Sequence, residues 1–157
     1  NWSHSGDYVI CAVADREVGI DLQYAGKEPK ESMVRKLLQP DELHFYENVP
    51  ESERQRLFYE YWAVKESFLK ALGTGFATPL DRFYVEFRKG SDVSDAVKKN
   101  AMKVPYIIQN INHKQYLCRL LPVKDEGYTA ALCIESLDKS LQEGELFSTL
   151  EVEEIEE

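Results

Sequence analysis

A chain of 157 residues with a 43% apolar fraction and plentiful Tyr and Phe has room for one sizeable core and is not compositionally disordered. Its formal net charge of −9 argues against a duplex nucleic-acid partner, which needs a basic surface. No apolar run nears the roughly 18 residues of a membrane span, and no basic-then-apolar leader opens the sequence. No membrane association is therefore expected, and a cytoplasmic location is.

In chain order, Asn1-Trp2-Ser3-His4-Ser5-Gly6 leads straight into a strand and reads as the interior of a domain, as in a piece of a longer chain. Asp7 to Ala14 alternates in β-rich fashion, with Val9, Cys11 and Val13 on one face. Asp15-Arg16 is expected to turn the chain, so that Glu17 to Gln23 pairs back as the second arm of a hairpin. Glu31 to Leu38 reads as a short helix that stops before Pro40, and Asp41 as the cap of another running through Tyr46. Ser52 is expected to cap a long helix from about Glu53 to Leu72. Its apolar stripe is Leu57, Tyr61, Val64, Phe68 and Leu72, and Gly73 ends it. Asp81 to Lys89 reads as a strand and Gly90 to Met102 as a polar loop. His113 to Val123 and Tyr128 to Ser136 read as two strands joined by the turn Lys124-Asp125-Glu126-Gly127. The expected fold class is α+β, a mostly antiparallel sheet packed against one long helix. One domain is expected over 1–138, followed by an acidic segment over 139–157. Cys11, Cys118 and Cys133 sit in apolar strand-like runs and read as small buried hydrophobes in a reducing compartment, with no zinc-ligand spacing among them.

The chemistry concentrates in two segments. Val18-Gly19-Ile20-Asp21 places an acid at a strand end, and Trp62-Ala63-Val64-Lys65-Glu66-Ser67-Phe68-Leu69-Lys70 places an acid between two lysines on a helix. Helical geometry puts Glu66 and Lys70 on one face, beside the apolar stripe. Singly, Asp21 is an ordinary cap or turn residue, and Glu66 with Lys70 an ordinary surface ion pair. Together they suit Mg²⁺, which prefers oxygen ligands and is commonly held by one or two carboxylates plus substrate phosphates. Asp21 and Glu66 would be the ligands, and Lys65 and Lys70 would offset the charge of a pyrophosphate. A Ser3–His4 nucleophile pair is poorly supported, since strand neighbours point to opposite faces. Gly73-Thr74-Gly75 follows a helix and lacks the Lys-Ser/Thr of a phosphate loop, so helix termination is the better reading.

These segments resemble the Sfp-type 4'-phosphopantetheinyl transferases, whose pattern is Gly-(Ile/Val)-Asp followed by (Trp/Phe)-x-x-Lys-Glu-(Ser/Ala)-x-x-Lys. Residues Asn1 to about Ser136 look like the C-terminal half of such an enzyme, with Asn1-Trp2-Ser3-His4-Ser5-Gly6 and Pro79-Leu80-Asp81 as supporting matches. The resemblance implies one half of a pseudo-dimeric fold of two similar α+β halves. It also implies transfer of the phosphopantetheine arm of coenzyme A to a serine of an acyl or peptidyl carrier protein, releasing 3',5'-ADP. By position, Asp21 and Glu66 would bind Mg²⁺, Lys65 and Lys70 would contact the phosphates, and Ser3 and His4 the 3'-phosphate side of coenzyme A. Glu66, a metal-bound water or Lys65 would remove the serine proton. The segment from Tyr24 to Leu43 corresponds to the carrier-docking region, where Arg35, Lys36, Leu37 and Leu38 offer basic and apolar groups.

Many members carry a second acid two residues after the Asp; here that place is Gln23, whose amide oxygen could still ligate the metal. The family's N-terminal half is not in this sequence, so another half or a second copy would complete the site. The short trimeric holo-acyl-carrier-protein synthases are the nearby rival class. Gln23 and the absent half also motivate a non-catalytic carrier-binding module. A plain acidic structural domain with solvated helix ion pairs is the third reading.

Overall fold

The elements run β1 (Trp2–Ser5), β2 (Tyr8–Cys11), β3 (Val18–Tyr24), α1 (Glu31–Leu37), α2 (Pro40–Asn48), α3 (Glu51–Leu72), β4 (Glu86–Arg88), β5 (Val104–Tyr106), β6 (Gln115–Leu121) and β7 (Tyr128–Ser136). The structure, a computed structural model, describes residues 1–75, 83, 85–88, 104–106 and 115–136. The expected loop at Gly90 to Met102 and the acidic segment 139–157 lie outside the described residues, as do positions 81, 82, 84 and 89 of the strand expected from Asp81, of which Glu86–Arg88 form β4.

β7 is the middle strand of the sheet β3-β7-β6, and both neighbours run antiparallel to it. The register sets Gly19 opposite Cys133 and Asp21 opposite Ala131. β6 and β7 close through the expected turn, where the Asp125 carboxylate accepts the Gly127 N–H at 2.9 Å. α3 lies across this sheet. Leu57, Tyr61, Val64 and Phe68 of its apolar stripe are buried, with Leu72 partly so. Phe68 meets Phe83 and Tyr116 edge-on, with ring centroids 4.9 and 5.5 Å away. Each such fully buried side chain contributes about 1.5–3 kcal/mol of transfer free energy. Gly73 terminates α3 in the left-handed conformation at φ 68°, which costs glycine little.

Four expectations are corrected. The hairpin is β1–β2, not the pairing of Asp7–Ala14 with Glu17–Gln23: Ser5 pairs with Tyr8 and Trp2 with Cys11. Gly6, at φ 55°, permits the two-residue turn between them, and β3 pairs with β7 instead. Val9, Cys11 and Val13 therefore face outward, Val9 being 70% and Val13 92% exposed, while Ile10 packs behind the sheet near Ile20 and Leu22. Cys11 is thus no core residue, unlike Cys118 and Cys133. Finally, Asp41 and Ser52 lie inside their helices: Gln39 caps α2 in a capping box with Glu42, and Pro50 precedes α3.

Candidate active site at the crossing of β3 and α3

A Cβ on Gly19 would lie 2.0 Å from the Ser67 carbonyl oxygen and 2.4 Å from the Ala71 nitrogen. The absent side chain lets the backbones of β3 and α3 meet at that point. Two residues on, Asp21 is therefore pressed against the α3 turn that carries Glu66 and Lys70. The glycine of the Gly-Ile-Asp run is needed for space, not for backbone conformation.

Asp21 is 3% exposed and fully engaged. Lys70 Nζ donates to its Oδ1 at 2.7 Å and also reaches the Ile20 carbonyl at 3.1 Å and Ser3 Oγ at 3.0 Å. Ser3 Oγ in turn donates to Asp21 Oδ1 at 3.0 Å. Gln23 Nε2 donates to Asp21 Oδ2 at 2.7 Å, the orientation that charge requires of an amide facing a carboxylate. The Lys70 side chain remains 28% exposed, so its ammonium bridges the buried acid and the open side of the site.

Glu66 completes the group. Its Oε1 is buried and has no hydrogen-bond partner among the described residues. Burial pushes its carboxyl above the usual range, the neighbouring Asp21 charge pushes it further, and Lys70 opposes both. Two carboxylates near one another, one of them with an orphaned oxygen, make a site short of positive charge. Among the described residues no cluster of three or more His, Cys, Asp or Glu is gathered. The donor set, two acids with an amide beside them, fits Mg²⁺, which keeps several waters and shares its sphere with substrate phosphates. It does not fit a closed zinc site.

Not every expected site residue is brought here. Ser3 and His4 point to opposite faces of β1: Ser3 is buried under Asp21 and Lys70, whereas His4 is exposed and stacked on Trp2 at 5.7 Å. Lys65 departs from its expected place. It is 0% exposed, and its Nζ donates to Glu42 Oε2 at 2.6 Å, the Leu37 carbonyl at 2.7 Å and the Phe83 carbonyl at 3.3 Å. One position along the helix turns Lys65 about 100° from Glu66, into the layer beneath α1 and α2. In the Tyr24–Leu43 segment, Arg35 and Lys36 are exposed, but Leu37 and Leu38 belong to the core, so the apolar surface nearby comes from Met33 and Phe45.

Two features had no expectation attached. Glu42, 3% exposed, ties Lys65 to the Val85 N–H at 2.5 Å and the Gln39 N–H at 2.8 Å. The readable signal was its place three residues after Gln39, a capping-box spacing. The other is a ladder of side chains: Asn1 Oδ1, Ser3 Oγ and Ser5 Oγ accept the N–H groups of Ile20, Leu22 and Tyr24 at 3.1, 3.2 and 2.8 Å. The alternation Asn-x-Ser-x-Ser was its signal.

Comparison with known proteins identifies the family. The model of the 4'-phosphopantetheinyl transferase superfamily matches residues 17–133. The 4'-phosphopantetheinyl transferase HetI of a Nostoc species is 38% identical over 79 residues, covering 49% of this chain and 33% of that protein. The 4'-phosphopantetheinyl transferase gsp of Aneurinibacillus migulanus is 26% identical over 133 residues, covering 85% of this chain and 50% of that one. This chain thus spans at most about half the length of the curated relatives it matches first. A holo-(acyl-carrier-protein) synthase from Bacillus anthracis, solved in complex with coenzyme A, shares the fold with a TM-score of 0.53 at 17% identity, over 76% of this chain and 96% of that one. With the matched span running from the start of β3 into β7 and enclosing Asp21, Glu66 and Lys70, the chain belongs to the 4'-phosphopantetheinyl transferase superfamily.

Proposed function

We propose that this chain carries catalytic machinery for Mg²⁺-dependent transfer of the 4'-phosphopantetheine arm of coenzyme A to a serine of an acyl or peptidyl carrier protein. The observation that carries this reading is the orphaned Glu66 Oε1 beside Asp21, with the Lys70 ammonium 2.7 Å from Asp21. The names of the relatives and the coenzyme A in the Bacillus anthracis synthase supply the substrate class.

In the reaction the serine oxygen forms a bond to the phosphorus nearest the pantetheine. The bond from that phosphorus to the bridging oxygen breaks, and 3',5'-ADP leaves. Asp21 and Glu66 would hold Mg²⁺, which when bound polarises the phosphoryl oxygens and offsets the charge of the leaving diphosphate. Lys70 stays anchored to Ser3, Ile20 and Asp21, and its partly exposed ammonium would offset the charge of the pyrophosphate from that position. Lys65 is fully buried among Glu42, Leu37 and Phe83, away from the site, which leaves Glu66 or a metal-bound water to take the serine proton. Arg35 and Lys36 on α1, with Met33 and Phe45 close in sequence, offer the basic and apolar surface that an acidic carrier helix would meet.

The test is the intact mass of an apo carrier protein after incubation with coenzyme A and Mg²⁺. Two catalysts are compared: this chain, and this chain joined to the N-terminal half of the Aneurinibacillus relative. A gain of one phosphopantetheine arm that EDTA prevents and Glu66→Gln loses supports the proposal. Carrier binding without mass gain by either form overturns it in favour of a non-catalytic carrier-binding module.

A further inference from the structure

β3 pairs with β7 along one edge, which leaves the N–H groups of alternate residues on its other edge facing away from the sheet. No strand backbone satisfies three of these. The N–H groups of Ile20, Leu22 and Tyr24 instead donate to Asn1, Ser3 and Ser5, alternate side chains at the start of the chain and along β1. The ladder fastens the β1–β2 hairpin to the edge of the strand that bears Asp21.

The middle rung differs from the other two. A serine hydroxyl has one proton to donate and two lone pairs to accept with. At Ser3 all are used: it accepts from the Leu22 N–H at 3.2 Å and from Lys70 Nζ at 3.0 Å, and donates to Asp21 Oδ1 at 3.0 Å. The hydroxyl therefore closes a triangle with the Asp21–Lys70 ion pair, which is 2.7 Å across. Ser3 is 6% exposed, so water does not readily stand in for the missing oxygen if it is removed. Ser5 makes the same kind of rung, to Tyr24, with no bond to Asp21 or Lys70.

We propose that Ser3 is a positioning residue, which fixes the side chains of Asp21 and Lys70 in the geometry that receives a divalent cation and a pyrophosphate. It acts on the site through those two groups. The role of the site rests on the function proposed above, whereas the positioning itself can be read without any ligand.

The matched pair Ser3→Ala and Ser5→Ala tests it, since each loses one ladder bond and only the first loses the triangle. Measurements are made on the full chain at a temperature where both variants are folded. Three-bond Hα–Hβ couplings report the Asp21 rotamer in the absence of metal. They are expected to show one rotamer in the unmodified chain and in Ser5→Ala, and averaging in Ser3→Ala. Mg²⁺ affinity by calorimetry is expected to fall roughly tenfold in Ser3→Ala, as for other groups that orient a metal ligand, and to hold in Ser5→Ala. A single Asp21 rotamer in Ser3→Ala, or equal effects of the two substitutions, overturns the proposal. If the unmodified chain binds no Mg²⁺, the functional reading fails on its own, and the couplings still decide whether Ser3 positions Asp21.

Discussion

Glu66 is a carboxylate in the wrong place for a protein without a ligand. Its Oε1 is buried with no donor among the described residues, and burial together with Asp21 pushes its carboxyl above the usual range. A raised folded-state value means the folded chain binds the proton more tightly than the unfolded one. The stability this gives is fully present below the ordinary value of 4.5 and is lost as pH rises through the raised folded value. Glu66→Gln removes the charge and should make the metal-free chain more stable at neutral pH by about 1 kcal/mol, near the lower cost of one unsatisfied buried polar group. The gain should vanish as pH falls below 4.5. Urea unfolding at pH 4 and pH 7 in EDTA measures this, and equal effects at both would show that Glu66 pays no penalty for its charge. A substitution that raises stability while abolishing transfer is what a residue kept for chemistry should show. At this scale Asp21, Glu66 and Lys70 were readable because a resemblance joined two distant segments. Lys65 was misplaced because spacing puts it next to Glu66 in sequence, but helical rotation sends it into the core.

Between elements, two contacts hold the site's framework. The first is the crossing at Gly19, where the α3 backbone occupies the space of a side chain. Gly19→Ala should cost about 3 kcal/mol, the upper end of overpacking effects, because main-chain atoms on both sides must move. A shift in denaturant midpoint with unchanged m-value would report it, and a neutral substitution would mean the helix slides freely. The second is the buried pair Lys65–Glu42, 0% and 2% exposed in their side chains, which gathers α1, α2, α3, the Phe83 carbonyl and the Val85 N–H. Lys65→Met leaves Glu42 charged and unpaired in the core and should cost about 3–5 kcal/mol. Amides of α1 and α2 should exchange faster than those of β7 in this variant, which hydrogen exchange can follow residue by residue; a uniform change would deny the pair its clasping role. The helices were legible from their stripe and stop signals, and β7 from its apolar run. The hairpin was not. Alternation alone cannot tell which face of Tyr8–Cys11 is inward, and a one-residue error in register exposes the whole set. Gly6, whose left-handed φ makes the turn, was the informative residue.

For the whole molecule, the net charge of −9 complicates any claim about a metal. An acidic chain repels itself, and any divalent cation relieves that repulsion by screening, with no site required. Thermal stabilisation by Mg²⁺ is therefore evidence for the site only if it depends on the site's residues. A ligand present at ten times its dissociation constant stabilises the folded state by about 1.4 kcal/mol. In a chain of this size that is a rise of roughly 3–6 °C in melting temperature. The unmodified chain should show this rise over NaCl of matched ionic strength, and EDTA should remove it. Glu66→Gln, with its buried ligand neutralised, should start from a higher melting temperature in EDTA and gain only the screening part. The two melting curves should then approach each other, or cross, as Mg²⁺ is raised. Parallel curves, with both proteins gaining equally, would assign the stabilisation to the overall charge and leave Asp21 and Glu66 without a cation. Curves that converge would tie the destabilising carboxylate of the free chain to the ion that its proposed reaction needs.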